Sequence, residues 1–295
     1  MQVSARGVAI EVDDQGPPGG EPLLMIMGLG MQLTAWPEPL VQRLIAHGFR
    51  VIRFDNRDVG LSQGFDAAGV PNLLWAALRH AVHLPVASPY LLSDMAGDAL
   101  GVMDALKLPR AHVCGASMGG MIAQHLASAH PQRVKSLTLM MTSSGARGLP
   151  GARPHVQRAL LSRPRGRSDD AVAEHLQHVL ELIGSPAYRS EPARVRERVL
   201  ASVRRAYRPA GTARQLVAIV ADGDRSPLLV RVATPTRVIH GEADPLVPVQ
   251  CGHDLVRRIA GAHADIVPGM GHDLPEALFD RFADGVYDNA ARARD

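Results

Sequence analysis

Apolar residues in this chain follow two alternating patterns, short continuous runs and longer segments with helical spacing. Runs typical of buried strands occupy residues 23–27, 50–54, 112–114, 134–141, 235–241 and 264–267. Helical segments are predicted at residues 38–47, 91–106 and 120–126, and an N-terminal hairpin at residues 3–13. Strands that alternate with helices favour an α/β fold, in which a mostly parallel sheet is flanked by helices on both faces.

The alternation stops between residues 142 and 229. Residues 145–166 are rich in Gly, Pro and Arg and are predicted to be irregular. Helices are predicted at residues 169–182, which begin with acidic residues, and at residues 192–208, which begin with a proline. Pro209 is predicted to end the second helix. We therefore predict a core domain of residues 1–141 and 230–295 with an inserted helical cap at residues 142–229. The arginines of this insertion either steer anionic substrates or cover solvated helix faces, and the second interpretation is favoured.

A Gly-x-Ser-x-Gly pentapeptide stands at residues 115–119, between a predicted strand and a predicted helix. A chain that turns sharply at Ser117 leaves no room for side chains two residues away, which glycine at positions 115 and 119 satisfies. The turn places the Ser117 hydroxyl at a helix N-terminus, where a developing negative charge is stabilised. A chance occurrence is the alternative, but the strand and helix on either side favour a nucleophile elbow.

A serine nucleophile needs a base, and the base needs an acid that orients it. His272 lies in a glycine-rich loop after the strand at 264–267, and Asp244 lies in a turn after the strand at 235–241. Hydrolases with a nucleophile elbow have the chain order Ser, acid, His. Ser117, Asp244 and His272 are therefore predicted to form a catalytic triad.

Other acidic residues compete with Asp244 for the role of the acid. They are Glu242, Asp273, Asp222 and Asp224. Glu242 is too near the end of its strand and is predicted to be solvated, and Asp273 would point away from the adjacent His272. Asp222 and Asp224 are expected in a turn before the strand, and His240 is expected to pack at the strand end.

An oxyanion hole requires two N–H groups close to the nucleophile. One is expected from Met118, the residue after Ser117, and the other from the loop after the strand at 23–27. In that loop Leu29 lies between Gly28 and Gly30, which would let the substrate carbonyl approach closely. In isolation the loop also fits an ordinary glycine turn, but the elbow and the histidine favour a donor at Leu29.

Together these motifs resemble those of α/β-hydrolase fold serine esterases. The resemblance is carried by residues 27–30, 54–62, 115–119, 240–245 and 269–272, so it extends over most of the chain. The chain is most similar to the group that includes the aclacinomycin methylesterases, with which it shares a Met-Gly turn, an Asp-x-Arg-Asp turn and a Trp-Pro pair. The more common pattern has His at position 27, but Leu29 offers its N–H in either case. Dehalogenases and epoxide hydrolases of this fold use an Asp nucleophile and are disfavoured.

The resemblance implies carboxylic ester hydrolysis through an acyl-enzyme, on small to medium apolar esters that include methyl esters. It implies no metal and no organic cofactor. The same triad also supports lactone or thioester hydrolysis, C–C bond hydrolysis and cofactor-free perhydrolysis. A protein of a different class, a binding protein without turnover, is disfavoured because it need not retain Ser117, Asp244 and His272.

An apolar acyl pocket is predicted from two features. Apolar residues at helical spacing between positions 71 and 85, Trp75 among them, predict a helix that walls the site together with the cap. Met31 follows the oxyanion turn and Met270 precedes the histidine by two residues, and flexible methionines suit a pocket for varied apolar groups. The alternatives are a surface helix packed on the core and ordinary core filling.

Composition restricts the location and the partners of the chain. No run reaches the ~18 apolar residues of a membrane span, and the N-terminus lacks an apolar signal core. The two cysteines, Cys114 and Cys251, are predicted to be unpaired, which favours the cytoplasm. The net charge of +3 does not predict nucleic-acid binding, because only 4% of residues are aromatic and no nucleic-acid motif occurs. The expected partner is a small-molecule ester, and the oligomeric state is left open.

Overall fold

The computed structural model describes residues 1–82 and 84–293. In this part of the chain eight strands form one sheet and eleven α-helices surround it. The strands are β1 (Gln2–Ala5), β2 (Val8–Gln15), β3 (Glu21–Ile26), β4 (Phe49–Phe54), β5 (Ala111–Ala116), β6 (Val134–Met140), β7 (Thr236–Gly241) and β8 (His263–Val267). The helices are α1 (Glu38–Ala46), α2 (Leu73–Ala81), α3 (Leu92–Ala105), α4 (Met118–Ala129), α5 (Pro154–Leu160), α6 (Asp169–Ile183), α7 (Pro192–Arg205), α8 (Pro209–Asp222), α9 (Ser226–Leu229), α10 (Val249–Arg258) and α11 (Phe279–Ala291).

The strands lie in the order β1-β2-β4-β3-β5-β6-β7-β8. The pairs of β2 with β1 and β4 are antiparallel, and the pairs from β4 through β8 are parallel. The prediction of a mostly parallel sheet is therefore confirmed. Parallel strands bring their carboxyl ends to one edge of the sheet, where the loops that follow can meet.

Both faces of the sheet are covered by helices. Along β3, Leu24 and Ile26 join the apolar cluster that includes residues of α3 and α4, whereas Leu23 and Met25 join the cluster that includes residues of α1 and α11. Successive side chains of a strand point to opposite faces, so a strand covered on both sides must be apolar at every position. This burial explains the continuous apolar runs in the sequence.

Five helices, α5 to α9, lie between β6 and β7 in the described residues. The predicted helices at 169–182 and 192–208 are confirmed as α6 and α7, which share a small apolar cluster with Val172, Val195 and Val199. Two predictions are wrong. Residues 145–166 contain α5, and Pro209 begins α8 instead of ending a helix. Proline suits the first turn of a helix because its missing N–H would have no partner there.

A helix within residues 71–85 is confirmed as α2. Among the helices of residues 1–82 and 84–293, none has the length and apolar character needed to cross a membrane.

Candidate active site

Ser117 occupies a strained turn between β5 and α4. Its φ of 53° and ψ of −120° are unfavourable for a residue with a side chain. Two hydrogen bonds hold the turn against β6 and the residues after it: Ser117 N–H donates to the carbonyl of Met140 at 2.9 Å, and the Thr142 hydroxyl donates to the carbonyl of Ser117 at 2.7 Å. The sheet therefore fixes the conformation that exposes the Ser117 hydroxyl.

The two glycines of the pentapeptide are required by close backbone contacts. A Cβ on Gly119 would lie 2.0 Å from the carbonyl oxygen of Ile26, and a Cβ on Gly115 would lie 2.4 Å from that of Gly119. Neither obstacle is a flexible side chain that could move away. The clash expected from the sequence is thus a property of the folded elbow.

The structure brings Ser117, His272 and Asp244 together. Nε2 of His272 lies 3.0 Å from Oγ of Ser117, and Nδ1 of His272 lies 2.7 Å from Oδ2 of Asp244. Because an ionised carboxylate only accepts hydrogen bonds, Nδ1 carries the proton, and Nε2 is the nitrogen that can accept the proton of Ser117. This is the geometry of a nucleophile, a general base and an orienting acid.

Asp244 is held by its own loop as well as by the histidine. Its other oxygen, Oδ1, accepts the backbone N–H groups of Leu246 and Val247 at 2.9 and 2.8 Å. The side chain of Asp244 has no exposed surface. The turn after β7 therefore fixes Asp244 with one oxygen free for His272.

The loop after β8 carries His272 and contacts the helical insertion. The backbone N–H of His272 donates to the carbonyl of Ile183, the last residue of α6, at 2.7 Å. A Cβ on Gly271 would lie 2.5 Å from the backbone of Gly184. His272 is therefore positioned by the sheet and by the end of α6.

None of the acidic competitors is paired with His272 in the described residues, and three of the four have other partners. Glu242 is exposed to solvent, as expected. Asp273 accepts a hydrogen bond from the Ser185 hydroxyl, and burial raises the pKa of its carboxyl. Asp222 ends α8, so its expected place in a turn is wrong, and it pairs with His125 and Arg225. Asp224 accepts from Ser226, and its expected turn lies between α8 and α9.

His240 packs at the end of β7, as expected. It has no exposed surface, and Nε2 donates to the carbonyl of Val247 at 2.7 Å. Burial lowers the pKa of the His240 imidazole, which favours its neutral form. It therefore supports the turn that carries Asp244 without adding a charge.

The predicted oxyanion donors are backbone N–H groups next to Ser117 in the chain or in a loop that passes beside it. A Cβ on Gly28 would lie 3.1 Å from Cβ of Ser117, so the loop after β3 passes directly beside the serine. In the described part of the chain, the backbone N–H groups of Leu29 and Met118 have no acceptor. Met118 begins α4, and the first N–H groups of a helix have no partner within it. Both groups are available to an oxyanion.

A buried acid that sequence reasoning missed supports this loop. Oδ1 of Asp55 accepts the backbone N–H of Leu33 at 2.7 Å, and Oδ2 accepts Leu61 N–H at 2.9 Å and Arg205 Nη1 at 2.7 Å. The side chain of the next residue, Asn56, donates to the carbonyl of Met27 at 2.9 Å. The available signal was the polar run that follows β4 directly.

The predicted pocket residues have different surroundings. Met31 is 38% exposed and Trp75 is 56% exposed. Met270 has no exposed surface and belongs to the core cluster with Met140 and Phe279, so the structure does not support its place in a pocket, which stays a prediction. Its place in the chain resembled a pocket position, but its side chain fills the core beneath the loop.

Trp75 lines a surface cavity of about 560 Å³ between α2, residues 86–89 and Val217 of α8. Ser117, Asp244 and His272 are not among the residues that line it. Trp75 as an acyl-pocket residue therefore stays a prediction.

Comparisons with known proteins identify the family. The model of the alpha/beta hydrolase fold family matches residues 21–274. Rhodomycin D methylesterase DauP of a Streptomyces species is 30% identical over 92% of this chain and 91% of its own. The methylesterase DnrP of Streptomyces peucetius is 29% identical with the same coverage. The meta-cleavage product hydrolase CumD of Pseudomonas fluorescens, at 20% identity, has a TM-score of 0.76 over 99% of this chain and 98% of its own, which shows the fold alone. The chain belongs to the alpha/beta hydrolase fold family.

Proposed function

We propose that this chain is a carboxylic ester hydrolase in which Ser117, His272 and Asp244 form a catalytic triad. The observation that carries the proposal is the hydrogen-bonded path from Asp244 through His272 to Ser117, with distances of 2.7 and 3.0 Å. Similarity to two rhodomycin D methylesterases supports an esterase-type hydrolase.

Acylation is the first step. Nε2 of His272 takes the proton of Ser117 while Oγ attacks the ester carbonyl carbon, and Asp244 stabilises the imidazolium that forms. The C–O bond to the alcohol then breaks, and the alcohol leaves with the proton from His272. In the second step His272 removes a proton from water, which attacks the acyl carbon. The bond from that carbon to Oγ then breaks, Oγ takes the proton back from His272, and the acid and free Ser117 are released.

The backbone N–H groups of Leu29 and Met118 are the proposed oxyanion hole. Both are free of protein acceptors in the described residues, and the loop of Leu29 passes beside Ser117. Such donors act on the charge that develops on the carbonyl oxygen, and each is worth about 10²- to 10³-fold in rate. No step of this reaction uses a metal or an organic cofactor.

The proposed substrates are small to medium esters of apolar acids, methyl esters among them. The printed names of two relatives contain the word methylesterase, which supports this class. Residues 142–229 act as a cap, a role supported by the hydrogen bond between α6 and the loop of His272. Met31 and Trp75 stay predictions as acyl contacts, as does the cytoplasmic location.

The proposal is tested with a panel of acyl esters and a fluorophosphonate probe. The wild-type chain should hydrolyse methyl and ethyl esters and label covalently, and Ser117→Ala should lose about 10⁴- to 10⁶-fold in rate and all labelling. Ser162→Ala, in which an exposed hydroxyl bonded to Ala159 is removed, is the matched control and should behave as wild type. Near-full hydrolysis by Ser117→Ala would overturn the assignment.

The same panel distinguishes ester hydrolysis from the other reactions that this fold and triad can support. Lactones, thioesters and C–C bond substrates are included beside the esters, because the triad alone does not fix the bond that is cleaved. A rate on one of these that exceeds the best ester by more than about 10-fold would replace the ester proposal.

A further inference from the structure

The loop that carries Leu29 is held by a glutamine of the inserted helices. The backbone N–H of Gly30 donates to Oε1 of Gln215, in the middle of α8, at 2.8 Å. Nε2 of the same side chain donates to the backbone carbonyl of Arg57 at 2.8 Å. Gln215 has no exposed surface. One buried amide thus joins the loop after β3 to the loop after β4.

The orientation of this amide follows from its partners. A backbone N–H only donates and a backbone carbonyl only accepts, so Oε1 must face Gly30 and Nε2 must face Arg57. A side chain in this position therefore needs an acceptor within hydrogen-bond distance of Gly30 and a donor within hydrogen-bond distance of Arg57. Among neutral side chains of this length glutamine alone has both.

Helix α8 is itself fixed against the core. Arg214, the preceding residue, forms a two-pronged ion pair with Asp58 at 2.7 and 2.8 Å, and both side chains are buried. A Cβ on Gly211 would lie 2.0 Å from the carbonyl oxygen of Asp58, so the helix lies directly on the loop backbone. The Gln215 amide is therefore presented from a rigid support.

The peptide that Gln215 holds is the one next to the free N–H of Leu29. Gly28 and Gly30 flank that residue, and Gly30 has a φ of +67°. Glycines on both sides give the backbone freedom to rotate the N–H away from the serine. The bond to Gln215 fixes the Leu29–Gly30 peptide and removes much of that freedom.

We propose that Gln215 is a positioning residue, which aligns the Leu29 N–H for the oxyanion from within the inserted segment. The inference rests on the proposed function, because it takes Leu29 as an oxyanion donor. Its effect is on the transition state: a donor that is already aligned stabilises the developing charge without reorganisation. Placement of α8 and the rate of acylation are thereby coupled.

The test replaces the amide by a side chain of similar length without hydrogen bonds. Gln215→Met should lower kcat by about 10- to 100-fold, with KM changed by less than about 3-fold, because a misplaced donor weakens transition-state binding more than substrate binding. A boronic acid that forms a tetrahedral adduct with the serine should bind more weakly by a similar factor. Gln215→Glu keeps the length, the acceptor for Gly30 and, as the neutral acid that full burial favours, a donor for Arg57, and should restore kcat to within about 5-fold of wild type.

The matched control removes a buried hydrogen bond of the same network that does not reach the loop. Tyr90→Phe loses the bond from the phenol to Asp58, which measures 2.7 Å, and should lower thermal stability with kcat unchanged. A purely structural role for Gln215 predicts the same behaviour for Gln215→Met, and that result would overturn the proposal. If Gln215→Met does not fold, a loss of more than about 10-fold in kcat by a folded Gln215→Glu would also overturn it.

The two proposals fail in different ways. If wild type neither hydrolyses esters nor labels with the fluorophosphonate, the proposed function is wrong. If wild type is active, Ser117→Ala is inactive and Gln215→Met keeps its kcat and boronic acid affinity, only the inference about Gln215 is wrong.

Discussion

The sheet and the inserted helices contribute to the same site by different kinds of contact. The sheet is held by two large apolar clusters, one on each face, and the loops at its edge carry Ser117, Asp244 and His272. Between β6 and β7, helices α6 and α7 share only a small apolar cluster, whereas Ala218 and Leu229 of α8 and α9 join a cluster of the sheet. Directional polar contacts, such as Arg214 with Asp58 and Gln215 with Gly30, also join α8 to the loops at the sheet edge.

This difference in contacts predicts which substitutions each region tolerates. Apolar packing is non-directional, so the sheet can absorb small changes of shape at many positions. A buried ion pair or amide contact has one geometry, and removal of one partner leaves the other unsatisfied. We expect the loops at the sheet edge to survive many core substitutions, whereas α8 should be sensitive to changes in the few buried polar side chains that hold it beside its apolar contacts.

The largest expected effect acts at the edge of the sheet. Asp244→Asn should reduce kcat by on the order of 10⁴, because an amide that donates to Nδ1 selects the wrong imidazole tautomer. Steady-state hydrolysis of the best ester measures the loss. Glu242→Gln, in which an exposed neighbour is changed, should be mild, and the opposite ranking of the two variants would move the acid to Glu242.

Breakage of the buried ion pair that joins α8 to the loop after β4 should have the next largest effect. Arg214→Met leaves Asp58 buried without its cation and should lower the free energy of unfolding by about 3–5 kcal/mol in urea titrations. Arg194→Met removes an ion pair with Glu276 whose side chains are 65% and 67% exposed, and should cost about 0–1 kcal/mol. Equal losses in the two variants would contradict the importance of the buried pair.

A third substitution tests a position next to the sheet that should not tolerate an added methyl group. Gly119→Ala would place a methyl group 2.0 Å from the Ile26 carbonyl oxygen. It should lower the free energy of unfolding by about 1–3 kcal/mol and abolish ester hydrolysis. Gly19→Ala is the control, because nothing lies within 4 Å of its Cβ. Wild-type activity in Gly119→Ala would mean that the elbow can relax, contrary to the close contacts.

The smallest effect concerns pH. Burial lowers the pKa of His240 in the folded chain from its usual 6.5, so the unfolded chain binds more protons as the pH falls and stability decreases below pH 6.5. The steepest possible slope is about 1.4 kcal/mol per pH unit. His240→Gln, which keeps a donor for Val247, should flatten the fall in Tm between pH 6.5 and 5.

The control for this pH effect lies in the insertion. His175 of α6 is half-buried, and its pKa is lowered first by burial and then by the nearby His178. His175→Gln should change the fall in Tm between pH 6.5 and 5 by less than His240→Gln does. A steeper effect at His175 than at His240 would contradict the order of burial.

Local sequence patterns predicted the sheet and the elements that carry the candidate triad. Each of these features depends on neighbours in the chain: an apolar run, glycines two residues from a serine, a proline-rich turn after a strand. The start of α8 was missed because a proline both ends helices and begins them, and only the chain that follows decides between the two.

The supporting side chains could not be predicted in the same way. Gln215 meets Gly30 across 185 residues and Arg205 meets Asp55 across 150 residues. A single polar residue in an amphipathic helix carries no local sign of such a partner. The burial of Met270 was missed for a similar reason, since a loop position says little about which way a flexible side chain points.

The long connection between β6 and β7 also determines the time that separates the synthesis of Ser117 from that of His272. His272 follows Ser117 by 155 residues, which a ribosome adds in about 8–30 s. During that interval the turn at Ser117 and its glycines can already fold on β3, β5 and β6, but His272 and Asp244 are not yet in place. On the proposed function, chain order alone delays the reactivity of the Ser117 hydroxyl until β7 and β8 are added to the sheet edge.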